Sequence, residues 1–207
     1  MMSHAPNTPR RTLAVLGVFG VVVVVVVAGA LWWFARGDDA LAGENLDSFP
    51  AVDHSILSAQ QSALLGVLEQ EWESGSPGTK YAEGVEESWC ADFVSWSMNQ
   101  IGTPFSNPNS GSWRIPGVYT LQEYYESVDA FVPYGQDYQP KVGDTILYGD
   151  SSPFGQHVNV VLVNDGGTLT TVGGNENNKV MLHRIVPSEV PGIVGFGVIL
   201  ATPAVFA

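Results

Sequence analysis

Asp144-Thr-Ile-Leu-Tyr148, His157-Val-Asn-Val-Val-Leu-Val163, Thr168-Leu-Thr-Thr-Val172, Lys179-Val-Met-Leu-His-Arg-Ile185 and the run from Ile193 to Ala201 follow one another, separated by Gly, Asp and Asn. Short runs rich in β-branched residues and bounded by turn formers read as strands of an antiparallel sheet. The chain before Pro140 has a different character. Ile56, Leu64, Leu65, Val67, Leu68 and Trp72 are spaced to share one face of a helix over residues 55–73, with Asp53 or Ser55 near its cap and Gly75-Ser-Pro-Gly78 ending it. A second helix is expected from Cys90 to Gln100, stopped by Gly102, and a short third over residues 121–128. Between them, residues 103–118 are rich in Pro, Ser, Asn and Gly, a loop long enough to shape a substrate site. Helices first and meandering strands second make an α+β domain with N-terminal helices packed on an antiparallel β-sheet, not the alternation of a parallel sheet.

Upstream of that domain, residues 13–34 are apolar or small without interruption and include seven valines from Val21 to Val27. Twenty-two such residues can cross a hydrocarbon core of roughly 30 Å as one transmembrane helix. Arg10 and Arg11 precede the run, Asp38 and Asp39 follow it, and Trp32 and Trp33 fall where an interfacial belt would lie. The positive-inside rule then orients the chain: residues 1–12 cytoplasmic, 13–34 a signal anchor in the cytoplasmic membrane, 35–54 a tether, and 55–207 an extracytoplasmic domain. Ala28-Gly-Ala30 has the small-x-small form of a signal-peptidase site, but Leu31-Trp-Trp-Phe34 carries the apolar run past it. Both readings export the domain.

The net charge is −13, and beyond residue 37, 21 acidic residues face five basic ones. Such a field repels phosphate backbones and anionic lipid surfaces, which argues against a nucleic-acid binder or a peripheral membrane protein.

An exported protein usually pairs its cysteines, yet Cys90 is alone in the chain, so no intramolecular disulfide can form. A lone cysteine can be an inert core residue. At the first turn of a helix it can instead be a nucleophile, because free N–H groups and the macrodipole there favour a thiolate. A nucleophilic thiol needs a base near neutral pH, and histidine suits. His4 precedes the membrane segment and His54 ends the tether, which leaves His157, at the start of an apolar strand, and His183, mid-strand between Leu182 and Arg184. Around Cys90, Trp89 and Trp96 could form a substrate platform or belong to the core. Tyr81 could supply the second oxyanion donor, beside the backbone N–H of Cys90, or simply pack. Asn159, two residues after His157 and on the same side of the strand, could meet substrate or be a polar edge residue. No metal-ligand spacing, phosphate loop or dinucleotide fingerprint is present, so neither metal nor cofactor is expected.

Trp89-Cys-Ala-Asp-Phe-Val-Ser-Trp96, Lys141-Val-Gly-Asp-Thr-Ile-Leu-Tyr148 and Gly155-Gln-His-Val-Asn-Val-Val161, in that order and at those gaps, resemble the cysteine/histidine-dependent amidohydrolase/peptidase (CHAP) domain and its NlpC-type relatives in the papain-like clan. The resemblance implies a papain-like cysteine hydrolase with Cys90 as nucleophile and His157 as base. Val172-Gly-Gly-Asn-Glu-Asn-Asn178 resembles the Gly-Gly-Asn turn of some members, which implies Asn175 as the third catalytic residue, orienting the histidine. Members that place a glutamate two positions before this asparagine differ here, where that position is Gly173; Glu176 could substitute from the other side. Asp144 recurs in the family as a turn-forming residue. The implied substrate is peptidoglycan, cut at an amide or peptide bond through a thioester, with an envelope protein as a further partner. An inactive envelope scaffold of the same fold and an acyl-transfer enzyme are the rival readings.

Overall fold

The computed structural model describes residues 41–200, so the expected anchor over 13–34 lies outside the described residues. Within them the fold is α+β, with three α-helices and a seven-stranded antiparallel sheet in the order β1-β6-β5-β4-β3-β7-β2. The strands are β1 (Glu44–Asn45), β2 (Phe131–Pro133), β3 (Thr145–Tyr148), β4 (His157–Asp165), β5 (Thr168–Glu176), β6 (Lys179–Ile185) and β7 (Ile193–Gly197). Among the described residues no helix is long and apolar enough to cross a membrane.

Helix α1 (Ala59–Ser74) begins at Ser58 rather than at Asp53 or Ser55, because Ser58 and Gln61 form a reciprocal capping box. It ends at Gly75, whose φ of 58° is the left-handed conformation that glycine adopts at least cost. Helix α2 (Cys90–Gln100) has the expected bounds and packs on β4 and β5 through Phe93 and Val94, both buried. Helix α3 (Val118–Ser127) starts three residues before the expected point.

Side chains alternate along β4. Val158, Val160 and Leu162 join Leu64, Leu68 and Phe93 in the core between helices and sheet. The intervening positions face the other way, where Ile146, Tyr148, Val161, Leu169 and Ile185 form a second cluster against Phe154. This second face begins with His157.

The tether reading is corrected for residues 44–52. Glu44 pairs with Arg184 and Asn45 with His183, making β1 the edge strand beside β6, and Leu46, Phe49 and Val52 pack against the core. A two-residue strand has no periodicity to read. Gly43 permits the approach, since a Cβ there would stand 2.1 Å from the carbonyl oxygen of Arg184. Strand β2 was likewise not foreseen; it pairs with β7, whose register ends at Gly197, short of residue 201.

Asp144 has the structural role expected of it: fully buried, it accepts from Tyr138 Oη at 2.6 Å and from the backbone N–H groups of Lys141 and Ile199 at 2.7 and 2.9 Å.

Candidate active site

Cys90 opens α2, and its N-cap, Trp89, makes no side-chain capping bond. The first-turn N–H groups therefore face the thiol end of the helix with their partial positive charge, a setting that favours an anion. Two contacts hold this helix end in place. Trp89 Nε1 donates to Asn178 Oδ1 at 3.1 Å in the β5–β6 turn, and Gly174 lets β5 come close, since a Cβ there would lie 2.6 Å from the Trp89 ring and 2.7 Å from Phe93. Asp92, one turn in and fully buried, receives Arg114 Nε at 2.8 Å, and Ser95 Oγ receives the N–H of Ile115. The loop over 103–117 is thus pinned along α2.

His157 starts β4 opposite Tyr148 on β3. Its ring is nearly buried, stacked on Phe154 with centroids 5.2 Å apart, and it engages Cys90. The far nitrogen, Nε2, donates to Glu176 Oε1 at 3.1 Å, which leaves Nδ1 for the thiol. Burial works to lower the imidazole pKa, but the hydrogen bonds and negative charges of Cys90 and Glu176 outweigh it and push it up to about 9. Burial works to raise the carboxyl of Glu176, and the two histidines it touches, His157 and His183, hold it below the ordinary carboxylate range. The arrangement is a thiol, an imidazole able to stay protonated at neutral pH, and an ionised carboxylate behind it.

The ring partner is thus Glu176 and not Asn175. The reason is a β-bulge. Gly173 pairs with Met181 and Glu176 with Lys179, so two residues of β5, Gly174 and Asn175, stand against one residue of β6. Asn175 absorbs the extra residue at φ 64°. In a regular strand residues 173 and 175 share a face; the bulge advances the alternation by one, so Glu176 takes the face of Gly173 and turns toward His157. Asn177 and Asn178, at φ 50° and 60°, then form the two-residue hairpin turn. A Cβ on Gly173 would lie 2.2 Å from Glu176 Oε1 and 2.3 Å from Asn159 Oδ1. Glu176 stands three residues beyond 173, and its carboxylate fills the space a side chain at 173 would need.

Two of the three expected substrate contacts, Tyr81 and Asn159, are corrected. Tyr81 and Asn159 are fully buried, which leaves neither a surface for a ligand, while Trp89, 2% exposed, stands in the wall of a cleft. Tyr81 stacks on Trp89 and donates to Glu71 Oε2 at 2.8 Å, so its hydroxyl is not aimed at an oxyanion. Asn159 lies under the site beside Gly173 and Thr171. Trp96 meets Tyr81 edge-on, at a centroid distance of 5.2 Å. These aromatics build the floor that holds α2. An open cleft beside them, lined by Gly78, Thr79, Val85, Glu86, Glu87, Trp89 and Asn178, runs up to the start of α2. A separate apolar cavity of about 470 Å³ lies among α1, α2 and α3, with neither Cys90 nor His157 in its wall. No cluster of metal-ligating side chains occurs among the described residues.

Two features were not foreseen at all: Phe154, which covers the His157 ring, and the contact of His183 with Glu176. Neither has a local sequence signal.

Residues 80–175 match the family model of the CHAP domain. The match takes in α2, β3, β4 and β5 up to Asn175, and so includes Cys90 and His157 but stops one residue before Glu176. Comparison with curated proteins and with solved structures gives no match.

Proposed function

Residues 80–175 of this chain are a CHAP domain, the domain of a family of peptidoglycan amidases and peptidases, and from that premise we propose a membrane-anchored, extracytoplasmic cysteine hydrolase that cuts an amide or peptide bond of peptidoglycan. Cys90 is the nucleophile, His157 the acid and base, and Glu176 the group that orients the imidazole. Residues 13–34 are the anchor, residues 1–12 remain in the cytoplasm, and the wall within reach of the outer membrane face is the substrate.

His157 holds the proton of Cys90 on Nδ1, and the thiolate attacks the carbonyl carbon of the scissile amide. The oxyanion that forms is met by the backbone N–H of Cys90 at the start of α2. As the tetrahedral intermediate collapses, the C–N bond breaks and the imidazolium gives its proton to the leaving nitrogen. Water then adds to the thioester carbonyl, passes a proton back to His157, and releases the carboxylic acid while the C–S bond breaks. Glu176 stays ionised throughout and holds the ring through Nε2.

The observation that carries this reading is His157 held between Cys90 on one side and Glu176, 3.1 Å from Nε2, on the other. A bare Gly173, without the carboxylate some members carry there, would favour an inactive scaffold; the Glu176 carboxylate in the space beside it supports turnover instead.

The test is release of soluble fragments from purified peptidoglycan by the full-length chain, beside Cys90→Ala, with products identified by mass. Release lost only in the variant is the expected result and names the bond cut. No release by the native chain, or equal release by both, overturns the reading.

A further inference from the structure

Glu176 touches two histidines. Oε1 receives His157 Nε2, and Oε2 receives His183 Nε2 from β6 in a short contact. His183 is 1% exposed and lies opposite Thr171, one pair along the sheet from Gly173 and Met181. Its other nitrogen, Nδ1, is buried and has no hydrogen-bond partner among the described residues. A buried nitrogen with nothing to donate to is best left unprotonated, which places the ring proton on Nε2, aimed at the carboxylate. Phe154 closes the arrangement: it stacks on His157 and meets His183 edge-on, with centroids 5.2 and 5.4 Å apart.

We propose that His183 is a positioning residue of this site, a neutral Nε2–H donor that fixes Glu176 Oε2 so that Oε1 is presented to His157. The proposal rests on the reaction assigned to Cys90 and His157 above and adds to it a residue beyond the matched family span.

The physical case starts from the bulge. Glu176 reaches the imidazole from a β5 position between two left-handed asparagines, Asn175 and Asn177, rather than from a regular strand residue. Nothing in a glutamate side chain of three torsions selects which way the carboxylate turns, so the second oxygen needs a fixed donor. Against Glu176 stand His157 from β4 and His183 from β6; Tyr148 from β3 lies close enough for the carboxylate's charge to reach it, and its buried hydroxyl has no hydrogen-bond partner among the described residues. Against His157 stand Cys90 from α2, Glu176 from β5, the Tyr148 ring from β3 and Phe154. Among these His183 holds the free oxygen of the carboxylate.

The experiment compares His183→Gln with His183→Asn in the full-length chain. Glutamine can place an N–H where the histidine Nε2 was; asparagine falls short. In each, the titration of His157 is followed by NMR of ring-labelled histidine, a readout independent of turnover. The expected result is that His183→Asn lowers the His157 midpoint by about one pH unit, as loss of an aligned carboxylate should, while His183→Gln leaves it near the native value. In parallel, kcat on peptidoglycan should fall about tenfold in His183→Asn with KM unchanged, and return in His183→Gln. An unmoved His157 midpoint in His183→Asn overturns the proposal, as does the same fall in both variants. Should His183→Asn fail to fold, the native chain decides through its ring nitrogens: Nε2 protonated and Nδ1 bare on His183 is required, and a proton on Nδ1 overturns the proposal. Failure of the hydrolase reading looks different, because the His157 midpoint would respond as expected with no peptidoglycan cut by any form.

Discussion

Gly173→Ala adds one methyl group beside the carboxylate of Glu176, where this site has no room for it. The new Cβ would stand 2.2 Å from Glu176 Oε1 and 2.3 Å from Asn159 Oδ1, where ordinary contact starts at 3.4 Å. Each oxygen must therefore retreat by about 1 Å in a close-packed surrounding. Both residues are buried, and the glutamate, whose carboxylate ends the longer side chain, is the one whose retreat reaches His157. Its bond to His157 Nε2 is 3.1 Å long already, and a further retreat of about 1 Å takes it beyond hydrogen-bonding reach. With the imidazole no longer oriented, hydrolysis of peptidoglycan should fall roughly 100-fold. Overpacking should also cost about 1–3 kcal/mol of stability. The assay is fragment release per unit time, with urea unfolding on the same preparation to separate the two losses. Combining Gly173→Ala with Glu176→Gln should be little worse than Glu176→Gln alone, because both act through one hydrogen bond. A Gly173→Ala chain that hydrolyses at the native rate refutes the assignment of Glu176 as the orienting group.

The remaining predictions concern the protons and the bulge. The imidazolium of His157 must survive to protonate the leaving nitrogen, so hydrolysis should decline as pH rises through about 9, and Glu176→Gln, which removes a charge that raises this pKa, should move that decline to lower pH; an unmoved limb counts against the pairing. The same group links stability to pH: folded His157 keeps its proton up to about 9 against an ordinary 6.5, so its contribution is complete below 6.5 and is lost as pH climbs through 9, which urea unfolding at pH 6 and pH 9.5 should detect, with the difference reduced in His157→Gln. Asn175→Gly should keep hydrolysis within a few-fold of native, since glycine tolerates the φ of 64° and the side chain holds no catalytic atom; a large loss would return the orienting role to Asn175.

Much of this was legible in the residues alone. The start of α2 at Cys90 followed from helical periodicity ending at Gly102, and β3 through β6 followed from β-branched runs between turn residues, because these signals are local and each element satisfies its own backbone. Choosing His157 over His183 needed the family resemblance, and the structure has now found a place for both rings around one carboxylate. The Gly-Gly-Asn sequence of residues 173–175 carried a usable cue, since glycines followed by a left-handed asparagine mark a bulge.

Tertiary structure decided what that cue could not. Whether residue 175 or 176 meets His157 depends on how β5 is registered against β6, and a single extra residue reverses every side chain beyond it. Trp89, Tyr81 and Asn159 carry groups that could serve a ligand, and only the packing of α2 on the sheet, with Gly174 beneath it, buries them. Residues 44–52 read as tether because their order comes from β6 and the core, some 140 residues away, rather than from any pattern of their own. The elements from α2 through β6 and the place of Cys90 at a helix start have causes that lie within a turn or a strand; the carboxylate beside His157, the second histidine behind it and the burial of the aromatic floor were set by contacts between distant strands, where a shift of one residue changes which side chain faces His157.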